Sequence, residues 1–268
     1  MKTTILALTL GCLLTGCAGR QIQNSDMVVV AHRGGASLGI ENSLSCIEKG
    51  IATGADMIEI DVHMSLDGAL VVCHDPSVDR TTDGSGLIRE MSLAQLMSLS
   101  LVHPDTGEVS KDEHLPLLED VLEAIKGRCG LLLEVKRGKN DWYPGIEKAI
   151  IAAVDAAGVR DQVVVQSFND SVLENFHALD PSLPLEKLIV APLPFGLWID
   201  TRIQARNREV FSFVQSVNVH HSFAGRAFIR KMHEAGKKVK VWTVNRVSAL
   251  PAGVDGVITN DPALFIKE

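Results

Sequence analysis

The chain has 268 residues, 46% hydrophobic and 22% charged, with a formal net charge of −7. That is ample for a packed core of one large domain or two modest ones, and it excludes a disordered chain; 22 Gly and 10 Pro exclude a collagen-like or low-complexity one. Aromatics at 4% leave the core to aliphatic side chains, and the acidic balance argues against nucleic acid as partner, so an anionic ligand needs a local cationic cluster or a bound cation.

Lys2 precedes an apolar run, Ile5 to Leu14, that is too short to span a bilayer and reads as a signal peptide over residues 1–16. Its end, Leu14-Thr15-Gly16-Cys17, resembles a bacterial lipobox, in which the cysteine becomes the lipid-modified first residue. The alternative is cleavage near Ala18-Gly19 with Cys17 incidental. Lipidation at Cys17 predicts an exported chain anchored to a bacterial membrane. Ala18 is compatible with the outer membrane of a Gram-negative cell, and a Gram-positive surface stays open. Residues 17–26 then form a tether and 27–268 a single domain. Cys46, Cys73 and Cys129 contain no CxxC pair, so three buried thiols are expected, with one oxidised pair as the alternative and no zinc site.

From Met27 onward short β-branched runs alternate with segments of helical period. The first strand is Met27–Ala31, and Ser43 to Thr53 follows as a helix, with Leu44, Ile47 and Ile51 on one face. The second strand starts at Met57; Asp67-Gly68 separates Ile58–Met64 from Ala69–Cys73 as a hairpin turn. Residues from about 75 to 116 read as an irregular insertion with a short helix near Leu93–Leu99, and Asp83-Gly84-Ser85-Gly86 as a turn within it. A helix over Leu117–Ile125 leads to the third strand, Leu131–Val135, and one over Tyr143–Ala157, with Asp141 as its cap, leads to the fourth, Val163–Gln166. Asp170-Ser171 opens a helix to Leu179, and the fifth and sixth strands are Lys187–Val190 and Ser216–Val219. A helix over Gly225–Ala235 precedes the last two strands, Val239–Thr243 and Gly256–Thr259. Gly54, Gly127, Gly158 and Gly236 stand where helices should stop. Eight continuous apolar strands with intervening helices predict an α/β fold, a (β/α)8 barrel with an insertion after the second strand.

In such a barrel the site lies at the C-terminal ends of the strands. The first strand runs into His32-Arg33, the second carries Glu59 and Asp61 and returns through its hairpin into His74-Asp75, and the third carries Glu134 and Lys136. Residues two apart face the same side of a strand. With both pairs turned to the axis, Glu59, Asp61 and Glu134 would repel unless a cation lies between them, and their oxygens suit Mg²⁺ or Ca²⁺. The alternative is that Lys136 forms salt bridges with these acids. His32 and His74 are the candidate acid and base. Arg33 and Lys136 make a local positive pocket suited to a phosphate or phosphodiester. The other histidines have weaker claims; among them His220-His221, after the sixth strand, is the one candidate for substrate contact, with a structural role as the alternative.

The ordered set Ala31-His32-Arg33-Gly34, Glu41-Asn42-Ser43, Glu59-Ile60-Asp61, His74-Asp75-Pro76, Asp79-Arg80-Thr81-Thr82-Asp83-Gly84, Leu115-Pro116-Leu117, Glu134-Val135-Lys136, Gln166-Ser167-Phe168, Val241-Trp242-Thr243 and Gly253-Val254-Asp255-Gly256 through Asp261-Pro262 resembles the glycerophosphodiester phosphodiesterase family. The resemblance implies a TIM-type barrel of the phospholipase-C-like phosphodiesterase superfamily. It further implies hydrolysis of glycerophosphodiesters to sn-glycerol 3-phosphate and an alcohol with one divalent metal, Ca²⁺ or Mg²⁺. Carried over, Glu59, Asp61 and Glu134 would be metal ligands and His32 and His74 the acid–base pair. Arg33 and Lys136 would hold phosphate, Glu41 would reach the metal or a glycerol hydroxyl, and Trp242 would line the glycerol side. The family usually has Pro-Glu-Asn-Thr where this chain has Ile40-Glu41-Asn42-Ser43, and Asp where it has Asn260. The attacking oxygen is water or the neighbouring glycerol hydroxyl. Competing readings are a phospholipase-D-like enzyme for lysophospholipids, whose acyl chain would meet the apolar stretch Ala191–Ile199, and a non-catalytic phosphodiester-binding lipoprotein.

Overall fold

In the computed structural model, which describes residues 27–137, 143–200 and 203–266, eight parallel strands close into a barrel. The expected signal peptide, tether and Cys17, and the expected cap Asp141, lie outside the described residues. In chain order the elements are β1 (Val28–Ala31), α1 (Leu44–Ala52), β2 (Met57–Met64), β3 (Leu70–Val72), α2 (Leu93–Leu96), β4 (Leu101–Val102), β5 (Val109–Ser110), α3 (Leu118–Ile125) and β6 (Gly130–Val135). They continue with α4 (Ile146–Ala157), β7 (Val163–Ser167), α5 (Asp170–Leu179), β8 (Leu185–Ile189), β9 (Ala191–Pro192), β10 (Leu197–Ile199) and β11 (Ile203–Ala205). The last are α6 (Arg208–Phe213), β12 (Ser216–His220), α7 (Arg226–Glu234), β13 (Lys238–Trp242) and β14 (Gly256–Thr259).

Around the barrel the order is β1, β2, β6, β7, β8, β12, β13, β14, and β14 pairs back with β1. The apolar runs explain this: Val30, Ile60, Leu131, Leu133, Val165, Val217 and Val239 are fully buried, covered by barrel interior or by helices. One large aliphatic cluster packs α1, α3, α4 and α5 on the β2–β8 side, and a second packs α7 on the β12–β14 side. The hairpin turn at Asp67-Gly68 forms as expected, with Val62 paired to Val72 in antiparallel β2 and β3 and Gly68 at φ 90°.

Several elements depart from expectation. The helix after β7 is capped by Asn169, whose side chain accepts from Ser171 N, rather than by Asp170-Ser171. α6 precedes β12 where no helix was foreseen, because six residues carry too little period to register. The segment after β8 is a small antiparallel sheet, β9 to β11, with Trp198 buried in the second cluster. Among the described residues, only short 3-10 turns follow β13 and β14, at 247–249 and 262–264. Pro251, Gly253 and Pro262 leave no uninterrupted stretch for a helix there. The insertion holds a core of its own, in which Val78, Ile88, Leu96 and Leu101 pack on Val71 and Cys73. Cys46 and Cys73 are buried free thiols and Cys129 is a half-buried one.

Candidate active site

β1 ends in a tight turn that carries His32 and Arg33. Arg33 sits at φ 51° and Gly34 at φ 83°, left-handed positions that the turn requires. α1 comes so close behind that a Cβ at Gly50 would lie 2.3 Å from the Gly34 carbonyl oxygen. The helix therefore fixes the turn, and the turn aims Arg33. Arg33 N donates to Glu59 Oε2 at 2.8 Å, which ties the end of β1 to the middle of β2.

Glu59 and Asp61 are buried on the inward side of β2, and the register sets Asp61 beside Glu134 of β6. Oxygens of Glu59, Asp61 and Glu134 all lie within 4.8 Å of one another. Lys136 Nζ reaches Asp61 Oδ1 at 2.9 Å and Glu134 Oε1 at 2.6 Å, so the salt bridges noted as the alternative for this lysine are present. One lysine does not neutralise three acids. Burial and the Asp61 and Glu134 charges push the Glu59 carboxyl well above the ordinary range, and burial raises Glu134 as well. Burial also works against ionised Asp61, but Lys136, His74 and Arg33 outweigh it and hold its pKa below the usual value. Among the described residues, Asp61 Oδ1 accepts no well-directed hydrogen bond despite its proximity to Lys136.

The two histidines reach the site with different partners. His32 Nδ1 lies 2.6 Å from Asn260 Oδ1, a neutral amide on the loop after β14. Burial, reinforced by the Arg33 charge, lowers the His32 imidazole to about 4. His74 Nδ1 lies 2.9 Å from Asp75 Oδ1, and Arg80 Nε grips the other oxygen of Asp75 at 2.6 Å. Burial, with the Lys136 and Arg33 charges, lowers His74 below its usual value against the opposing pull of Asp61 and Asp75. Among the remaining histidines, His63 is a core residue bonded to Tyr143 Oη at 2.8 Å. His220 stacks on His221 and meets Trp242 edge-on at 5.2 Å between ring centres, beside the site.

His32, Arg33, Glu59, His74, Glu134, Lys136 and Trp242 line one cavity of about 100 Å³. It shares Glu134, Lys136 and Phe168 with a second hollow of about 210 Å³ that extends toward Asp170 and Asp200. Glu41 stands at the edge with both oxygens engaged, one by Arg33 Nη1 at 3.0 Å and both by Arg80. Arg33 Nε is buried 3.7 Å from Asp61 Oδ2 and makes no hydrogen bond among the described residues.

Sequence reasoning did not give roles to four supporting residues. Asn42, at φ 61°, donates from Nδ2 to Asp61 Oδ2 at 2.9 Å. Arg80 joins Glu41 to Asp75 and so to His74. Gln166 Nε2 donates to Glu59 Oε1 at 3.4 Å, and Gln166 Oε1 in turn accepts from Asn218 Nδ2 at 2.9 Å across the barrel. Polar residues inside otherwise apolar strands were the available signal for Gln166 and Asn218.

The arrangement can bind an anionic group against Arg33, hold a hard cation among three carboxylates, and move protons at two imidazoles. Residues 32–264 match the model of the glycerophosphoryl diester phosphodiesterase family. The chain is 32% identical over 245 residues to a glycerophosphodiester phosphodiesterase of Caldanaerobacter subterraneus, covering 90% of this chain and 96% of that one. It is 29% identical over 266 residues to a glycerophosphodiester phosphodiesterase of Bacillus subtilis, covering 93% and 88%. Among solved structures it resembles an Oleispira antarctica phosphodiesterase in complex with the product sn-glycerol-3-phosphate, with a TM-score of 0.72, 29% identity, and 88% and 94% of the two chains covered.

Proposed function

The chain belongs to the glycerophosphoryl diester phosphodiesterase family, and on that premise we propose that it hydrolyses glycerophosphodiesters to sn-glycerol 3-phosphate and an alcohol. The observation that carries this reading is the convergence of His32, Arg33 and His74 with three buried carboxylates around one cavity.

The residues fit a divalent cation. Three carboxylates within 4.8 Å, against Lys136 and an Arg33 guanidinium shared with Glu41, leave negative charge uncompensated in a buried site, and all-oxygen donors suit Ca²⁺ or Mg²⁺. Glu59, Asp61 and Glu134 would hold it, oriented by Gln166, Asn42 and Lys136. When bound, such an ion draws charge from phosphate oxygens.

The protein's own part follows from the partners described above. Arg33 Nε, a buried donor with no hydrogen-bond partner among the described residues, hydrogen-bonds a phosphate oxygen and orients the diester. The Asn260 amide oxygen accepts from His32 Nδ1–H, which leaves Nε2 to take a proton. An amide does little to stabilise imidazolium, so His32 starts neutral and acts as base toward the attacking oxygen, either water, which gives glycerol 3-phosphate directly, or the adjacent glycerol hydroxyl, which gives a cyclic phosphodiester that water then opens. Asp75 accepts from His74 Nδ1–H and stabilises its cation, so His74 protonates the leaving alcohol from Nε2. Trp242 lines the glycerol side of the cavity.

Upstream of this domain, the lipobox-like Leu14-Thr15-Gly16-Cys17 supports export and lipid attachment at Cys17. Incorporation of labelled palmitate in cells, lost in Cys17→Ser, would establish it; equal labelling of the variant would refute it.

The activity is tested by measuring glycerol 3-phosphate released from glycerophosphocholine with Ca²⁺, with Mg²⁺ and with chelator. Release that depends on one of these ions is expected. Cleavage of lysophosphatidylcholine with glycerophosphocholine untouched would replace the reading by a phospholipase-D-like one, and no cleavage of either would leave a phosphodiester-binding protein.

A further inference from the structure

Positive charge is gathered in one part of this acidic chain. Residues 203–250 carry nine Lys and Arg against two Asp and Glu, a surplus of seven in a chain of net charge −7. They build β11, α6, β12, α7 and β13, so the surplus occupies one side of the barrel. Lys240 is used internally, against Glu186. Arg208, Arg226 and Arg246 are exposed. Arg208 opens α6, Arg226 opens α7 and Arg246 follows β13, which places all three toward the rim where the site opens.

The same loops expose large apolar side chains. Phe195, between β9 and β10, is 99% exposed; Phe223, between β12 and α7, is 48% exposed; Val247, after β13, is 57% exposed. Phe195 also sits at φ 59°, a left-handed conformation that a bulky residue rarely adopts. Neither burial nor backbone preference accounts for a phenylalanine held there in water. The three loops follow β8, β12 and β13, which are consecutive in the barrel. Apolar tips and arginines therefore share one arc of the rim.

We propose that this arc is a docking surface for an anionic phospholipid bilayer, with Phe195, Phe223 and Val247 entering the interface and Arg208, Arg226 and Arg246 pairing with lipid phosphates. Apolar tips alone would suit any hydrophobic partner, but Arg208, Arg226 and Arg246 beside them select an anionic one. Tips carried on three separate loops suit a fluid surface, into which each inserts independently. Arginine adds bidentate contact with phosphate. Docking there brings the cavity to the membrane, because Trp242 lines the cavity and touches His220, which adjoins the turn bearing Phe223. The surface acts independently of any acyl group at Cys17.

The test uses the full chain with Cys17→Ser, so that no acyl chain contributes, sedimented with vesicles of equimolar phosphatidylglycerol and phosphatidylcholine or of phosphatidylcholine alone. The apolar run Ile5 to Leu14 is common to all variants, so differences between them report on the arc. Preferential, salt-sensitive binding to the anionic vesicles is expected. The combined change Arg208→Gln, Arg226→Gln and Arg246→Gln should weaken it roughly a hundredfold, and Phe195→Ser with Phe223→Ser should weaken it on both vesicle types. Hydrolysis of soluble glycerophosphocholine should stay at the level of the parent, which also reports that the variants fold. Equal binding to both vesicle types, or anionic binding unchanged by the arginine substitutions, overturns the proposal. A concentration-dependent dimer abolished by the phenylalanine substitutions, without vesicle binding, would assign the arc to a second copy and overturn it as well.

Discussion

Two buried charge clusters share the inside of this barrel and differ in one respect. Near the C-terminal ends of the strands, Glu59, Asp61 and Glu134 face Lys136. Deeper, Glu186 of β8 faces Lys240 of β13, and Asn218 and Ser216 complete the network. Gly256 makes room for the lysine stem, since a Cβ there would lie 2.9 Å from Lys240 Cγ. The deeper cluster is charge-balanced and bonded throughout. The upper one keeps carboxylate charge in excess even with Arg33 3.7 Å from Asp61, because Glu41 shares that guanidinium, and Glu59 is pushed toward its protonated form. Gln166 and Asn218 connect them, one contacting Glu59 and the other Glu186. A balanced buried cluster is architecture, whereas an unbalanced one on the same strands marks a site built for something more.

That contrast can be broken at either end. Chemistry should belong to the upper cluster alone: His74→Ala should lower turnover about 10²- to 10⁴-fold while the thermal unfolding midpoint holds. A loss of only a few-fold would remove His74 from the acid–base pair. Stability should belong to the lower one. Lys240→Met strands Glu186 and should cost about 3–5 kcal/mol in urea unfolding, much of it recovered by adding Glu186→Met. If the single substitution is neutral, the deeper pair is not a structural unit.

The bridge between the clusters gives a smaller effect. Gln166→Leu removes the group that orients Glu59 and should weaken divalent-cation binding by about 10–100-fold, measured by calorimetric titration. Unchanged affinity would show that Glu59 needs no second support. The smallest effect separates the two histidines. Asn260→Asp places a carboxylate on His32, stabilises its cation and raises its pKa from about 4. A base must be neutral to act, so the acidic limb of the kcat/KM profile should move to higher pH, by on the order of one unit. An unmoved limb would take the base role from His32.

The barrel and the upper cluster were largely legible in the sequence, for a local reason. Glu59 and Asp61 lie two apart on one strand, as do Glu134 and Lys136, and alternation alone turns each pair to one face. The apolar runs around them are short and unbroken, as strands covered on both sides must be. What escaped depends on contacts remote in sequence. Nothing near Asn42 says that it meets Asp61, and Arg80 meets Glu41 across 39 positions. The pair Glu186 and Lys240 lies on strands 54 residues apart, and neither residue stands in a motif. α6 and the small sheet β9 to β11 are too short for periodicity to announce, and they are fixed by packing, with Trp198 buried against the barrel wall.

Whether Glu59, Asp61 and Glu134 form a cation site is tested most directly by calorimetric titration of the metal-stripped protein with Ca²⁺ and Mg²⁺. The parent and the Glu186→Met, Lys240→Met double variant should each bind one ion per chain, and Glu59→Gln should bind none in the same range. Undiminished binding to Glu59→Gln, or no binding by the parent, would contradict a cation site there.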